Sequence, residues 1–284
     1  MPIYRSDPRI RPAGEKDHAA LTRFLNHEYR IHRHLDWRSP LEWLGSQPYL
    51  IAEQEGLIQA VFSCPPDPPQ IAWIRLFGAA EPLSPAATFK WMLAEARSQL
   101  EKSGIHQIVA IGLQPWFQTV LSENGFYIRQ SIVVLEWTGQ IPPETSTPGD
   151  LNIRPMVRED LQTVAEVDQV AFDPIWQNSL ESLTLAYQQS SWSTVAETPE
   201  GIIGYQISTS IPLTGHLARL AVLPALQRRN IGYALVRQML KHFQTSGAWH
   251  VTVNTQDDNL ASIALYEKMG FRRTGEIFPV YQLA

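Results

Sequence analysis

The feature that most limits how this chain folds is an internal repeat. Ile10-Arg11-Pro12, followed by Asp17, returns as Ile153-Arg154-Pro155, followed by Asp160, at an offset of 143 residues. Near the end of each half, Leu121-Ser122-Glu123-Asn124-Gly125-Phe126 is matched by Tyr266-Glu267-Lys268-Met269-Gly270-Phe271 at an offset of 145. Two widely separated anchors that share nearly one offset, close to half of a 284-residue chain, point to a duplicated domain. Between the halves, Thr138 to Asp150 is rich in Pro, Gly, Ser and Thr, the composition of a semi-rigid surface linker. The expected division is residues 1–140, a linker over 141–150, and residues 151–284, with each half of ordinary domain size.

Charge and composition remove several classes of function. Lys plus Arg number 23 against 28 Asp plus Glu, a net charge of −5, so no basic surplus drives nucleic-acid binding. No apolar run approaches the ~18 residues of a membrane span. The first residues, Met1 to Asp7, lack the apolar core of a secretory signal, and the expected location is cytoplasmic. A single cysteine, Cys64, excludes an internal disulfide and a Cys-rich zinc site, and reads as a small buried residue. His27, Glu28, His32 and His34 have the spacing HExxxH, which does not stack two imidazoles on one helix face as HExxH does. A polar helix face and no metal are expected there. Trp37, Trp43, Trp73, Trp91 and Trp116 read as packing anchors.

Periodicity in the second half predicts the order β-α-α-β-β-β-α-β-α-β, a mixed α/β sheet with helices on both faces. The segment with most chemical content is Leu220 to Leu235, a strand ended by Pro224, a short loop, and a helix. The first turn of a helix leaves backbone N–H groups unpaired, and the macrodipole adds positive charge there. Gly232 lacks a Cβ, Asn230 tolerates a left-handed turn, and Arg228 and Arg229 add charge. Such a site suits a diphosphate, although a strand–loop–helix with one packing glycine has the same pattern. No GxGxxG and no GxxxxGK[ST] is present.

Gln227-Arg228-Arg229-Asn230-Ile231-Gly232 resembles the Q/R-x-x-G-x-G/A signature of the GCN5-related N-acetyltransferase (GNAT) superfamily, with Asn230 in place of the first glycine. Leu265-Tyr266-Glu267-Lys268-Met269-Gly270-Phe271 resembles a second signature of that family, and Asn259 matches an earlier asparagine. The resemblance covers residues 152–284 well and residues 8–137 as a worn copy. It implies two tandem GNAT-like domains, each a mixed, mostly antiparallel sheet with helices on both faces, the second one catalytic. It implies acetyl-CoA as co-substrate and direct transfer of its acetyl group to a primary amine in a ternary complex.

Carried over by position, the resemblance places the cofactor on Leu220, Ala221, Val222, Gln227, Arg228, Arg229, Asn230, Ile231, Gly232, Tyr233, Ala234 and Asn259. Leu220 N–H would polarise the thioester carbonyl, Val222 would bind pantetheine, and the amides of residues 228 to 233 would hold the diphosphate. The side chain of Asn230 must then point away from the phosphates. Asn259 either bonds pantetheine or caps its helix. Tyr266 matches the acid that protonates the leaving thiolate. For the base, His216 stands four residues before Leu220 and, by strand alternation, shares a face with Ala218, Leu220 and Val222. Asn254 cannot serve as a base; Glu197, Glu276 and a water relay stay open.

In the first half the matching loop falls in Pro82 to Phe89, which has no glycine, and Tyr266 maps to Leu121. That half is expected to be inactive. The acceptor expected for the second is a small-molecule or peptide amine, the chain being a monomer or homodimer. The competing reading is a non-catalytic acyl-CoA-binding or protein-interaction module; a longer acyl-CoA donor is a third.

Overall fold

The computed structural model describes residues 8–28, 30–81 and 83–284. Residues 1–7 and Pro82, at the edge of the predicted first-copy loop, lie outside that set. Packing groups the chain into two units, one running through Arg129 and taking in Phe278–Ala284, the other Gln130–Ile277. Among the described residues no helix is long and apolar enough to cross a membrane.

The first unit is built from β1 (Arg9–Pro12), α1 (His18–His27), β2 (Ile31–Arg33), β3 (Tyr49–Gln54), β4 (Leu57–Ser63), β5 (Ile71–Trp73), β6 (Leu76–Ala79), α2 (Pro85–Lys102), β7 (Gln107–Ile111) and α3 (Pro115–Glu123). Strands β1-β3-β4-β6-β2 form one sheet, and β5 pairs parallel with β7. The strand period of two sorts its core. Leu50, Ala52, Phe62 and Phe77 pack with α2 and α3, whereas Tyr49, Ile51, Val61 and Leu76 pack with α1.

The chain continues through β8 (Phe126–Trp137), β9 (Asn152–Pro155), α4 (Leu161–Ala171), α5 (Leu180–Gln189), β10 (Trp192–Thr198), β11 (Gly201–Ile211), β12 (Thr214–Val222), α6 (Ile231–Thr245), β13 (His250–Gln256), α7 (Leu260–Lys268) and β14 (Arg272–Leu283). In the second unit the strand order is β8-β13-β12-β11-β10-β9, antiparallel except for β12 with β13. The element order from β9 to β14 is the one read from periodicity, and each unit is an α/β arrangement of the expected tandem kind. In the first unit, Val280, Tyr281 and Gln282 of β14 pair with β7.

The repeat is visible residue by residue. Arg11 grips both oxygens of Asp17 at 2.8 Å and donates Nε to Glu53 at 2.8 Å. Arg154 grips Asp160 at 2.7 and 2.9 Å and donates Nε to Glu197 at 3.0 Å. The two glutamates follow equivalent β-bulges, after Ala52 and after Ala196. These forks fasten the first strand of each copy to the turn opening its first helix. They also occupy Glu197, one of the open candidates for a base, and Glu276 is exposed on β14.

The expectation for residues 27–34 is overturned. The His27–His34 segment is not a polar helix face, because α1 stops at His27. His32 lies on β2, buried, its ring stacked on Phe117 at 3.9 Å between centroids, with Nε2 3.3 Å from the Ile74 carbonyl. Burial pushes its pKa down to about 4. His34 is likewise pushed well down by burial.

Hydrogen bonding from Arg11 holds the Asp17 carboxyl down to about 2. A depressed carboxylate stabilises the fold above its unfolded pKa of about 3.9, and that contribution fades as pH falls toward 2. Asp17→Asn is therefore expected to cost about 1–3 kcal/mol at pH 7 in urea denaturation, with the gap to wild type closing near pH 2. A pH-independent gap would show that the charge is not what matters.

Candidate active site

Strand β12 pairs with β13 at Thr214↔His250, Gly215↔Val251, His216↔Thr252 and Leu217↔Val253, and no further. Beyond Leu217 the two strands part. A register shift against β11, where Ile207 faces Arg219 but Ser208 faces Leu217, leaves Ala218 as the extra residue of a bulge. Leu223 N–H donates to Ile203 on β11 at 2.9 Å. Backbone alternation then turns the amides of Leu220 and Val222 toward the parted edge.

A cavity of about 500 Å³ opens at this edge. Leu220, Ala221 and Val222 form one wall, the loop and first turn of α6 a second, and α7 a third. Arg228 and Asn230 both hold left-handed backbone, with φ of 61° and 60°. Asn230 precedes the helix without capping it, since its side chain turns away and donates to the Ser146 carbonyl at 2.8 Å. The first helical bond here is Ala234 N–H to Asn230 O. The amides of Ile231, Gly232 and Tyr233 thus have no intrahelical acceptor. An anion set against them would meet three N–H groups and the positive end of α6. A Cβ built on Gly232 would meet Leu265 Cδ2 at 3.3 Å and Val222 Cγ2 at 3.9 Å, both on residues that border the cavity.

Of the residues singled out from sequence, Leu220, Ala221, Val222, Gln227, Arg228, Asn230, Ile231, Gly232, Tyr233 and Asn259 all border this cavity. Arg229 and Ala234 do not, and the Ala234 amide is already used. Gln227 donates to the Val222 carbonyl at 3.1 Å, folding the loop back onto the strand. Asn259 accepts from Ser262 N–H at 3.1 Å, so it caps α7 while bordering the cavity.

Tyr266 is buried on α7 among Ile263, Met269 and Phe271. It lies beside, not within, the helical face of Ala261, Ala264, Leu265 and Lys268 that borders the cavity. Burial pushes its phenol up, with the Arg219 charge pulling the other way, so the proton stays on at neutral pH.

His216 departs from its expected place. Because of the bulge, Leu217 shares the α6 side of the sheet with Leu220, and His216 faces the other side. Strict alternation, which put His216 with Leu220 and Val222, fails at Ala218. The His216 ring borders a separate cavity of about 410 Å³ with Thr209, Ser210, Thr214, His250 and Thr252. Its Nδ1 is 2.8 Å from Thr252 Oγ1, and burial lowers its pKa.

The structure adds residues that sequence reading missed. Asp168, wholly buried, receives Arg219 Nε at 2.8 Å, the Tyr205 hydroxyl and the Asn178 amide at 2.8 Å. Arg219 also donates to the Trp176 carbonyl at 2.6 Å and stacks over Phe172 at 3.5 Å. This cluster fastens the segment after α4, whose Phe172 borders the cavity, to the strand residue just before Leu220. The i, i+3, i+4 run of Ala261, Ala264, Leu265 and Lys268 was a readable signal for the α7 wall. Nothing in sequence marked Phe172.

In the first unit the same parts are closed. There β5 and β6 replace one continuous strand, parting at Ile74-Arg75, and Ile71↔Gln107 repeats Thr214↔His250 at an offset of 143. Along the edge matching Arg219–Ala221, β2 pairs with β6 at Arg33↔Leu76, His32↔Phe77 and Ile31↔Gly78. At that offset the second copy has Pro174–Trp176, a short 3₁₀ turn led by a residue with no N–H to give a ladder. The helix start is closed as well, since Ser84 Oγ accepts the Ala87 amide at 3.4 Å. The Tyr266 counterpart, Leu121, is a core residue.

Residues 160–271 match the sequence model of the acetyltransferase (GNAT) family. Over 137 residues the chain is 29% identical to N-alpha-acetyltransferase RimI of Mycobacterium tuberculosis, covering 46% of this chain and 84% of that protein. Over 65 residues it is 38% identical to N-acetyltransferase family 8 member 3 of Mus musculus, but spans only 29% of that protein's length. A solved tandem GNAT protein from the clavulanic acid biosynthesis pathway superposes with a TM-score of 0.64 at 12% identity, covering 97% of this chain and 98% of that one.

Buried and neutral, His216 stabilises the fold above its unfolded pKa of about 6.5, and that contribution is lost as pH falls through and below that value. Relative to His216→Gln, the wild type is expected to lose up to about 1 kcal/mol between pH 6.5 and 5 in urea titrations. Parallel curves would mean that the imidazole is already solvated.

Proposed function

Because the chain belongs to the GNAT acetyltransferase superfamily, with two such folds in tandem, we propose that its second unit is an acetyl-CoA-dependent N-acetyltransferase acting on a primary amine. The observation that carries this reading is the parted edge of β12, with its free Leu220 and Val222 amides leading into the uncapped start of α6. An acyl-CoA laid there would set its diphosphate on the amides of Ile231–Tyr233. Its pantetheine would lie along Val222 and its thioester carbonyl against Leu220 N–H. A fixed amide dipole in a partly desolvated cleft stabilises the oxyanion that forms on attack. Tyr266, held neutral by burial, supplies the proton for the departing thiolate. His216 is the base of this proposal and acts through water, since its ring opens on the opposite side of the sheet. The ammonium loses its first proton through water toward His216 and solvent, the nitrogen gains the acetyl carbon, the C–S bond breaks, and the second nitrogen proton replaces the one that Tyr266 gave to the thiolate. RimI acts, by its name, on an α-amine, which makes an N-terminal or free amino-acid amine the first acceptor class to screen.

Calorimetric titration with acetyl-CoA is expected to give one site per chain, because β2 and Ser84 close the first copy. Gly232→Leu should weaken binding at least tenfold. Two sites, or none, would reject this assignment. Tyr266→Phe should lower turnover about 10²-fold with acetyl-CoA affinity unchanged. Equal turnover would remove Tyr266 as the acid, and binding without turnover on any amine would favour the acyl-CoA-binding module.

A further inference from the structure

The segment joining the two repeats does not hang free. Arg237 Nε donates to the Pro142 carbonyl at 2.9 Å, and the Tyr233 hydroxyl donates to the Pro143 carbonyl at 2.8 Å. The Glu144 carboxylate meets Arg237 Nη1 at 2.7 Å and Lys241 Nζ at 3.5 Å. Asn230 Nδ2 donates to the Ser146 carbonyl at 2.8 Å. Asn230, Tyr233, Arg237 and Lys241 are spaced by three or four residues, so they form one stripe of α6. The segment lies along that stripe and ends at the turn preceding the helix.

Two of the four residues on the stripe, Asn230 and Tyr233, also border the cofactor cavity. Asn230 sits in left-handed backbone, a conformation costing a side-chain-bearing residue about 1 kcal/mol or more. An asparagine just before a helix ordinarily folds its side chain back onto the first amides. Here that side chain is drawn out to Ser146, so the amides of Ile231–Tyr233 stay uncovered. Pro142 and Pro143 stiffen the strap that draws it out.

We infer that residues 142–146 are part of the acyl-CoA site: the strap holds Asn230 and Tyr233 so that the turn before α6 keeps its amides ordered and open. Asn230 and Tyr233 are positioning residues in this scheme. It rests on the reading of the cavity as an acyl-CoA site, and its test separates the two. Hydrogen exchange of the amides of residues 231–233 is measured on the full, ligand-free chain for wild type, Asn230→Gly, and the double variant Pro142→Gly/Pro143→Gly. Asn230→Gly keeps a left-handed turn but loses the Ser146 anchor, and the proline pair does not border the cavity itself, meeting it only through the Tyr233 hydroxyl. Both variants are expected to exchange at least fivefold faster at these amides, with Tm unchanged. Titration with acetyl-CoA should then show Kd raised about five- to tenfold in both, and KM raised with kcat preserved. Unchanged exchange in either variant overturns the inference. So does an Asn230→Gly chain that binds acetyl-CoA as tightly as wild type, since Asn230 would then be a mere stand-in for glycine. If wild type itself fails to bind acetyl-CoA, the exchange rates still decide whether the strap orders the turn, and the acyl-CoA assignment fails separately.

Discussion

Everything in the second unit turns on the point where β12 and β13 stop pairing. Four residue pairs hold the strands together, and the bulge at Ala218 then carries β12 away. A sheet that parts in its interior leaves backbone groups with no ladder partner, a costly arrangement unless something else bonds them. The same departure opens the space in which α6 and α7 face each other across a cavity. Buried Asp168 and Arg219 sit at this point too, fixing the neighbouring loop where a shift would narrow the opening. The bulge, the ion pair and the uncapped helix are thus one arrangement seen from three sides.

The two copies show what happens when the opening is kept and when it is closed. Both retain the arginine forks, Arg11 and Arg154, and both retain the bulges beside Glu53 and Glu197. These features brace the scaffold and have no part in the cavity, so they are the same whether the edge is open or covered. What differs is confined to the parted edge and the helix start. In the first copy a strand covers the edge and a serine caps the helix. In the second, a proline-led turn leaves the edge bare and an asparagine looks elsewhere.

This division explains what sequence could reveal. The duplication was legible because Ile-Arg-Pro with its aspartate, and the helix-stop glycines Gly125 and Gly270, are demanded by local geometry. The strand–loop–helix at Leu220 to Leu235 was legible for the same reason, as was the left-handed turn at Asn230. Features set by pairing between distant segments were not. The bulge at Ala218 depends on register against Ser208, and it moved His216 to the other side of the sheet. The fate of His32 depends on β6, more than forty residues away, which drew an apparent polar helix end into a buried strand. Arg219 and Asp168 looked like ordinary members of a strand and a helix until folding set them against each other.

Strand β2 has one more meaning. It is covalently tethered to the edge that it covers, so its pairing there is intramolecular and needs no encounter from solution. A diffusing ligand that needs the same edge competes against a rival that never leaves. Burial of His32 against Phe117 adds a further anchor to that rival. In the first copy, then, the edge that stands open in the second is filled by a piece of its own chain.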